Sequence, residues 1–305
     1  MALVLISGGN GLIGKALVHT LNQHGHKTLV LTRNPQKTSI ASENVYWDGI
    51  HPEVWTEWVG KADWIINLAG ENIGAKLWTF DRLREIRESR VFTGELLTEA
   101  VLRSSRRPSV FLQMSAIGYY GVQRENDIEA WDETQPSGND RLSAICRDWE
   151  GSSEKVESLG VRRLVARTGL VLARKGGVLP KLEMPFTFFG GGPVGSGRQV
   201  YSWIHIDDLV EGMLNLLENP KAHGAYNFTA PNSATNAEFG KSIGQVLHRP
   251  YWLPVPAFAF RLALGEMSTL ILDGQRVVPG RLTTELGFQF IYPLLLDALK
   301  QIHSY

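Results

Sequence analysis

The sequence predicts an α/β fold, a doubly wound parallel sheet with helices on both faces. Two observations predict it. Strand-like and helical segments alternate through the first half of the 305-residue chain, as they do in βαβ units. In addition, the apolar run Leu3–Ser7 passes directly into a glycine turn and a helical segment, and another strand-like segment follows at βαβ spacing.

Runs of apolar and β-branched residues predict six strands, at residues 3–7, 28–32, 45–48, 64–68, 110–115 and 161–166. Apolar residues at helical spacing predict helices at residues 12–24, at about 79–103 and at about 141–159. Because helices connect the strands, we expect the strands to run parallel, with their carboxyl ends at one edge of the sheet.

The character of the sequence changes after Gly169. Glycine and proline interrupt the alternation, above all in the cluster Gly190-Gly191-Gly192-Pro193. Shorter helices are predicted here, at about residues 208–218, 235–247 and 293–302.

This change predicts two domains. We expect a cofactor domain over residues 1–170, to which parts of residues 200–230 return. Residues 171–305 are expected to form mostly a substrate lobe, including a C-terminal segment at about residues 250–300. Ligands of such sheets bind beyond the carboxyl ends of the strands, which is where the substrate lobe would lie.

The composition does not favour charged partners. Lysine plus arginine number 31 and aspartate plus glutamate also 31, so neither nucleic acid nor a membrane surface is predicted as a partner. The single cysteine, Cys146, excludes an internal disulfide framework and fits a reducing compartment. The first apolar run is too short for a signal peptide or a membrane span, so we expect a cytoplasmic location.

The stretch from Ser7 to Gly14, SGGNGLIG, predicts a dinucleotide-binding turn. Glycine lets the backbone bend tightly, approach the phosphates and pack the following helix against the strand. The start of that helix offers free N–H groups and the positive end of its dipole to a pyrophosphate. The alternative is a purely structural turn. The predicted cofactor contacts are Gly8, Asn10, Gly11, Leu12, Ile13 and Gly14.

The end of the second predicted strand indicates which dinucleotide binds. NAD-binding domains of this plan place an acidic residue there, whereas this chain has Thr32 and Arg33. Arginine cannot accept a hydrogen bond from a ribose hydroxyl, but its planar fork suits the additional phosphate of NADP(H), and Lys37 adds charge nearby. The sequence therefore predicts NADP(H), with a solvated surface Arg33 as the alternative. Asp48 is predicted either to reach the adenine or to cap a turn.

Several segments together resemble the extended type of the short-chain dehydrogenase/reductase superfamily. Besides the glycine motif, residues 67–70 (NLAG) resemble the segment that lines the cofactor after the fourth strand, and residues 203–209 (WIHIDDL) resemble a signature of sugar-nucleotide epimerases. Residues 115–121, 231–239 and 274–279 are similar to an atypical, epimerase-like subfamily that carries a short C-terminal domain of unknown function. The resemblance covers essentially the whole chain and implies NADP(H) binding and a two-lobed fold.

The resemblance also implies which residues line the cofactor cleft. Thr32 and Arg33 match its adenosine end. The other matching positions are Leu68, Ala69, Gly70, Glu85 and Arg90. For Glu85 and Arg90 the alternative is a solvated helix face, because charges alternate over residues 82–90 in any case.

The usual catalytic pair of an active dehydrogenase is absent from the sequence. Members of the superfamily that transfer hydride use a tyrosine as acid/base, and a lysine four residues later lowers its pKa. The helix predicted from residue 141 has Leu142 and Cys146 at these two places, and no Tyr-x-x-x-Lys occurs between Ser115 and Arg167.

Two hydroxyl groups remain as candidates for the chemistry. Ser115 matches the assisting serine at the end of the fifth strand, and we predict that it hydrogen-bonds a substrate oxygen near the nicotinamide. Tyr120 is the candidate proton carrier, with a purely structural role as the alternative. Cys146 is a nucleophile if it faces the nicotinamide and a core residue otherwise.

The sequence argues against a sugar-nucleotide substrate. Epimerases of that class place an arginine two residues before the aromatic of their signature segment, where it binds the diphosphate. This chain has Tyr201 there. His205 is predicted to order the turn at Asp207 and Asp208 rather than to react. The eight histidines lie without metal-ligand spacing, so no metal is expected.

We therefore predict an atypical NADP(H)-dependent oxidoreductase or epimerase-like enzyme with an unidentified small-molecule substrate. Its pocket is expected to be closed by the glycine-rich loop at residues 189–202. The alternative is a non-catalytic NADP(H)-binding sensor or regulatory protein, which the missing Tyr-Lys pair favours. The chain is expected to be a monomer or a homodimer.

Overall fold

The computed structural model describes residues 1–36, 41–51, 55–127 and 129–304. Its strands are β1 (Leu3–Ser7), β2 (Lys27–Thr32), β3 (Glu43–Tyr46), β4 (Trp64–Asn67), β5 (Val110–Ala116), β6 (Arg162–Thr168), β7 (Leu170–Leu172), β8 (Val200–Tyr201), β9 (Trp203–His205), β10 (Gly224–Phe228) and β11 (Ala234–Thr235).

Its α-helices are α1 (Leu12–Gln23), α2 (Thr56–Val59), α3 (Phe80–Arg103), α4 (Arg141–Gly151), α5 (Leu179–Thr187), α6 (Ile206–Glu218), α7 (Asn236–Leu247), α8 (Ala257–Leu264), α9 (Thr269–Leu272), α10 (Gly280–Thr284) and α11 (Leu295–His303). Short 3-10 helices lie at Ile117–Tyr120, Glu154–Leu159 and Gly265–Ser268. Within the described ranges, no helix combines the length and the apolar character needed to cross a membrane.

Seven strands form one parallel sheet, in the order β10-β6-β5-β4-β1-β2-β3. The strand order reverses at β1, which lies between β2 and β4. Ser7 at the end of β1 is in register with Leu31 and with Asn67, so the carboxyl ends of these three strands meet. Ligands of doubly wound sheets bind at this switch point. The predicted doubly wound α/β fold is confirmed.

Helices cover both faces of the sheet. On one face α1 and α6 bury Leu17 and Met213 completely. On the other face α3 buries Leu97 and Val101 completely. β1 and β2 are accordingly buried along almost their whole length, as expected for parallel strands that are covered on both sides.

A smaller lobe forms at the carboxyl edge of the sheet. It contains two short ladders, β7 with β9 and β8 with β11, and a core to which α5, α7 and α11 contribute. β10 does not belong to this lobe, because it pairs with β6 and completes the main sheet. β10 thus joins the strands of the first half of the chain in one sheet. The division into a cofactor domain and a substrate lobe stays a prediction.

The helix expected at residues 141–159 is shorter than predicted. α4 ends at Gly151, and a separate 3-10 helix follows it. Side chains that are distant in the sequence donate hydrogen bonds to backbone carbonyls at this end of α4. Thr98 Oγ1 donates to the Ser152 backbone oxygen at 3.0 Å, and the Arg163 guanidinium donates to the Glu150 backbone oxygen. The Glu150 backbone oxygen also accepts the Ser153 N–H, three residues on, at 3.4 Å, so the chain tightens from α-helical to 3-10 bonding here.

His205 caps α6 and orders the turn that follows, as the sequence predicts. Its Nδ1 accepts the Asp207 N–H at 3.1 Å, and its Nε2 lies 3.0 Å from Gln301 Oε1. Asp208 accepts the backbone N–H of Ile291 at 2.6 Å. These side chains therefore tie the start of α6 to the C-terminal part of the chain.

We expect Asp63 to make the stability of the fold depend on pH. Its carboxylate accepts the Leu3 N–H at 2.8 Å and the Arg106 guanidinium at 2.5 Å, and the bond from Leu3 above all holds its pKa below the ordinary value. A depressed pKa in the folded state stabilises the fold above the ordinary pKa and ceases to do so as the pH falls through the folded value. Asp63→Asn should therefore unfold at a lower urea concentration than the wild type at about pH 7, and the difference should shrink toward about pH 3.

The control for this prediction is Asp81→Asn, which changes a carboxylate that is 73% exposed in an ion pair with Arg84. Its stability relative to the wild type should vary less over the same pH range than that of Asp63→Asn. A difference for Asp63→Asn that varies no more than that of this control would contradict the role given to its carboxylate.

Candidate functional site

A groove of about 410 Å³ lies where the ends of β1, β2 and β4 meet. Eight of the residues predicted to contact a cofactor line it: Gly8, Asn10, Gly11, Thr32, Arg33, Leu68, Ala69 and Gly70. Its other walls come from Leu31, Trp47, Asp48, Gly49, Glu71, Ser89 and Thr93. The groove is therefore built by the turn after β1, by the segments after β2, β3 and β4, and by one side of α3.

The turn after β1 requires glycine at two positions. Gly8 has a φ of +73°, and a Cβ there would lie 2.7 Å from the Leu68 carbonyl carbon. At Gly14 a Cβ would lie 2.4 Å from the Gly8 oxygen. These contacts bring the turn against the segment after β4 and bring α1 against the turn, so the backbone itself forms one end of the groove.

The first turn of α1 offers free backbone donors to this end of the groove. Gly11 is the N-cap and, among the described residues, no side chain caps the helix and no acidic residue lies in its first turn. Leu12 and Ile13 begin the helix without lining the groove with their side chains. The uncapped N–H groups and the positive end of the dipole fit the pyrophosphate of a dinucleotide.

The opposite end of the groove lies at the end of β2. Asn10 Nδ2 donates to Thr32 Oγ1 at 3.0 Å, which links the turn after β1 to that strand end. Arg33 follows as an exposed side chain in the groove wall. An exposed guanidinium at this end suits a phosphate on the adenosine ribose. Lys37, which the sequence placed nearby, lies outside the described residues.

Asp48 caps a turn, which was one of its two predicted roles. Its Oδ1 accepts the N–H groups of Ile50 and His51 at 2.8 and 2.9 Å, and its Oδ2 lies 2.6 Å from His51 Nδ1. These bonds, led by the His51 N–H, lower the pKa of Asp48 to about 2. The carboxylate therefore stays ionised and shapes the floor of the groove through the turn.

Trp47 is a further residue of the groove wall. Its side chain is 5% exposed, and its Nε1–H has no hydrogen-bond partner among the described residues. That nitrogen has almost no accessible surface, so the indole contributes a wall of the groove and no exposed donor. Its place inside the third predicted strand, next to Asp48, was the available signal.

The segment after β4 is held against β1 by a buried asparagine. Asn67 Oδ1 accepts from Ser7 Oγ at 2.6 Å and from the Ala69 N–H at 3.3 Å, while its Nδ2 donates to Gln113 Oε1 at 3.1 Å. These bonds fix Leu68 and Ala69 beside the glycine turn. They explain why an asparagine precedes the cofactor segment in the sequence.

Glu85 and Arg90 do not line the groove directly. Glu85 is paired with Arg82 at 2.9 Å in an adjoining depression. Arg90 packs beneath the segment after β4, because its guanidinium donates to the Glu71 carbonyl oxygen at 3.0 Å and stacks on Trp149. A Cβ on Gly70 would lie 3.2 Å from this side chain. Arg90 thus supports the groove wall, and direct cofactor contacts of the two residues stay predictions.

Ser115 and Tyr120 belong to a buried polar network with Glu150, Arg167 and Asn227. Glu150 accepts from Ser115 Oγ at 2.7 Å and from Arg167 through two nitrogens, each at 2.8 Å. Arg167 also donates to the Tyr120 hydroxyl at 3.0 Å, and that hydroxyl donates to Asn227 Oδ1 at 2.7 Å. The network fixes the ends of β5, β6 and β10 relative to one another.

The network leaves neither predicted hydroxyl free. Ser115 is 1% and Tyr120 4% exposed, and burial raises the pKa of Tyr120 to about 12. The geometry therefore favours the structural alternative for Tyr120, because a phenol with a raised pKa is a weaker proton carrier at neutral pH than a free one. Direct contact of either hydroxyl with a substrate stays a prediction.

A second cavity, here called the inner cavity, lies beyond the ends of β5 and β6. It measures about 290 Å³. Residues 116–118 and 168–170 form one side, and residues 200–202 and 273–275 form another. Apolar side chains such as Ile73, Ile117 and Leu170 dominate its lining, and no lysine, arginine or histidine is among the described residues that line it.

The C-terminal segment is bonded across the inner cavity. Gln275 Nε2 donates to the Ile117 oxygen at 3.0 Å, and Ser202 Oγ donates to the Gln275 oxygen at 2.9 Å. Gly274 is required here, because a Cβ would lie 2.1 Å from the Val200 oxygen. Of the loop expected to close the pocket, the last residues, 200–202, line the cavity.

Tyr201 and Cys146 both face the inner cavity. The Tyr201 hydroxyl donates to the Ile271 oxygen at 2.5 Å, and burial raises its pKa to about 12. Burial also raises the pKa of the Cys146 thiol to about 12. A thiol with such a pKa stays protonated at neutral pH, which argues against the nucleophile alternative. Among the described residues, no group of three or more His, Cys, Asp and Glu side chains is placed to hold a metal ion.

Two family assignments cover different parts of the chain. Residues 4–143 match the NAD dependent epimerase/dehydratase family, and residues 255–302 match a domain of unknown function, DUF1731. Among curated relatives, the chloroplastic epimerase family protein SDR39U1 homolog of Arabidopsis thaliana is 39% identical over 98% of this chain and 86% of its own length. Epimerase family protein YfhF of Bacillus subtilis is 36% identical over 98% of this chain and 97% of its own length.

Solved structures agree with these assignments. The crystal structure of human epimerase family protein SDR39U1 with NADPH superposes with a TM-score of 0.85 at 33% identity, over 98% of both chains. UDP-glucose 4-epimerase of Thermotoga maritima, solved with UDP-glucose, superposes with a TM-score of 0.77 at 16% identity, over 98% of this chain and 97% of that one. The second likeness concerns the fold alone.

Proposed function

The chain belongs to the epimerase family that the SDR39U1-type proteins represent, and from this membership we propose that it is an NADP(H)-dependent oxidoreductase acting on a small, mainly apolar carbonyl compound. One observation carries the proposal: a groove fitted to a dinucleotide and an apolar cavity lie at the same edge of the sheet. The predicted cofactor agrees with the NADPH in the human relative.

In this proposal the groove binds the cofactor through backbone and side-chain groups at its two ends. Gly8 and Gly11 allow the pyrophosphate to approach the first N–H groups of α1. Arg33 binds the phosphate on the adenosine ribose, and the Trp47 side chain forms part of the groove wall for the adenosine. When bound, NADPH supplies a hydride to the carbon of a carbonyl group.

The inner cavity limits the class of substrate. Its volume of about 290 Å³ suits a small molecule. Its apolar walls exclude water and favour an apolar body. The described lining contains no cation that could bind a diphosphate, and Tyr201 occupies the position of the diphosphate-binding arginine. These features support a carbonyl compound without a phosphate and argue against a sugar nucleotide.

Ser115 and Tyr120 act in this proposal as positioning residues. Their network holds the end of β5, and residues 116–118, which follow it, form a wall of the inner cavity. Either hydroxyl would have to break its hydrogen bond within the network before it could donate to a substrate oxygen. The network therefore supports the shape of the site rather than its proton transfer.

We expect Arg33→Ala to lose most of the preference for NADPH over NADH. Hydrogen bonds to charged groups contribute about 1.5–3 kcal/mol, so the affinity for NADPH should fall by about 10- to 150-fold. The affinity for NADH should stay within about threefold, because NADH lacks the phosphate that Arg33 binds. Titration calorimetry of both variants with both coenzymes measures the two changes.

The matched control is Arg103→Ala, which removes an arginine that is 70% exposed and paired with Glu99 on α3, away from the groove. It should bind both coenzymes as the wild type does. An unchanged preference in Arg33→Ala would exclude Arg33 from recognition of the phosphate.

A second function, a cofactor-dependent regulatory protein without turnover, is favoured by one observation. Because the Tyr-Lys pair is missing, Ser115 and Tyr120 are the remaining predicted candidates for the chemistry. Both of their hydroxyls are hydrogen-bonded within the buried network. Reduction of any small carbonyl compound at the expense of NADPH would exclude this alternative. A cytoplasmic location and a monomeric or homodimeric state remain predictions.

A further inference from the structure

Resting on the proposed function, we propose that Asp273 is the proton donor and acceptor of this site, in the place of the missing Tyr-Lys pair. Asp273 follows α9 and lies in the wall of the inner cavity. It therefore borders the space that the proposed function gives to the substrate. A carboxyl group is among the side chains that transfer protons in enzymes.

The other ionisable groups in the cavity wall are committed elsewhere. Asp140 caps α4 by accepting the Ser143 N–H at 2.8 Å and also accepts the Val122 N–H at 3.1 Å. The Tyr201 hydroxyl donates to a backbone oxygen, and the Cys146 thiol has a pKa of about 12. Within the part of the chain that the structure describes, Asp273 has no hydrogen bond or ion pair to its carboxyl group, so its oxygens are available to a substrate.

The surroundings of Asp273 hold more of it in the protonated form than water would. Burial raises its pKa above the ordinary value. Arg261 on α8 opposes this shift, and the Asp140 carboxylate adds to it. The negative charge of Asp273 in turn contributes to the raised pKa of Tyr201 on β8. A raised pKa moves a carboxyl group toward the range in which it donates a proton in enzymes.

Asp273 also has a route to solvent. A second depression of about 260 Å³, here called the outer cleft, shares Val200, Asp273 and Gly274 with the inner cavity. Its charged side chains, several of them exposed, are Arg124, Glu125, Asp127, Arg198 and Arg261. Water in the outer cleft can thus exchange protons with the carboxyl group.

The reaction balances with this assignment. The carbonyl carbon receives hydride with its electron pair as the C=O π bond opens, and the carbonyl oxygen takes the proton of the Asp273 carboxyl group. The substrate is reduced to an alcohol with new C–H and O–H bonds, and NADPH is oxidised to NADP⁺. Asp273 is left as a carboxylate, which takes up a proton from water in the outer cleft.

The experiment compares wild type, Asp273→Asn and the control Asp297→Asn, which changes an exposed aspartate on α11. NMR titration of ¹³C-labelled carboxyl groups in the cofactor-free protein should place the pKa of Asp273 above its ordinary value, and Arg261→Gln should raise it further. With benzaldehyde, phenylglyoxal and isatin as probes, Asp273→Asn should bind NADPH as the wild type does but reduce the probes about 100-fold more slowly. The wild-type rate should fall as the pH rises through the pKa of Asp273.

Each outcome decides the assignment. A pKa of Asp273 at or below its ordinary value, or an Asp273→Asn variant that reduces a probe within threefold of wild type, overturns it while the proposed function stands. If wild type binds NADPH but reduces none of the probes, the proposed reductase function fails and the assignment fails with it. Loss of reduction in Asp297→Asn as well would show a general effect of removing charge and would also overturn it.

Discussion

Replacing Glu150 by glutamine is expected to lower the free energy of unfolding by about 3–5 kcal/mol. Glu150 holds Arg167 through two hydrogen bonds of 2.8 Å, and the exposed fractions of the two side chains are only 11% and 7%. Without the carboxylate, the guanidinium charge remains buried and unpaired, which is far more costly than losing a hydrogen bond on the surface. Urea denaturation followed by circular dichroism measures the change.

Two variants test this explanation. Glu157→Gln breaks an ion pair with Arg163 in which the glutamate is 49% exposed, and it should cost less than about 1 kcal/mol. The double variant Glu150→Gln/Arg167→Met, which removes both charges, should recover part of the lost stability. If Glu150→Gln costs no more than Glu157→Gln, the network does not hold the strand ends in the way proposed.

Replacing Gly11 by aspartate is expected to reduce NADPH affinity at least about 100-fold without unfolding the protein. Gly11 is the uncapped N-cap of α1 with φ −73° and ψ 179°, a backbone that any residue adopts. Of the atoms in the described ranges, a Cβ there would come close to the Gly8 oxygen alone, at 3.3 Å. The carboxylate would occupy the helix terminus that the pyrophosphate needs, and two like charges about 4 Å apart repel by about 4 kcal/mol at an effective dielectric constant of about 20.

This prediction separates binding from folding, because aspartate is a favourable N-cap residue and stability should change by less than about 1 kcal/mol. Gly11→Asn is the matched control, since it caps the helix without adding charge. It should lose less affinity than Gly11→Asp. Equal losses in the two variants would mean that steric filling of the turn, and not the charge at the helix terminus, limits binding.

The parts of the molecule that depend on local sequence could be predicted. The bounds of β1 agree, and α1 starts at the predicted residue, because an apolar run and a glycine spacing determine them over a few residues. The third strand was predicted at residues 45–48 but lies at Glu43–Tyr46. The strand ends earlier because the carboxylate of Asp48 accepts backbone N–H groups and forms a turn there. A pattern of apolar residues does not show whether a turn will end a strand.

The candidate site was only partly predictable, because several of its residues take their roles from distant segments. Ser115 bonds to Glu150, which is 35 residues away. Tyr120 bonds to Arg167 and Asn227, which are 47 and 107 residues away. No spacing rule relates such positions. Asp273 likewise reaches the inner cavity only because the C-terminal segment crosses it, which requires the close approach at Gly274.

Titration calorimetry of the purified wild-type chain with NADPH and with NADH tests the central claim, that the groove at β1 and β2 selects a phosphorylated dinucleotide. We expect a single saturable site for NADPH and an affinity for NADH at least about tenfold weaker. No saturable heat with either coenzyme, or equal affinities for the two, would contradict the claim.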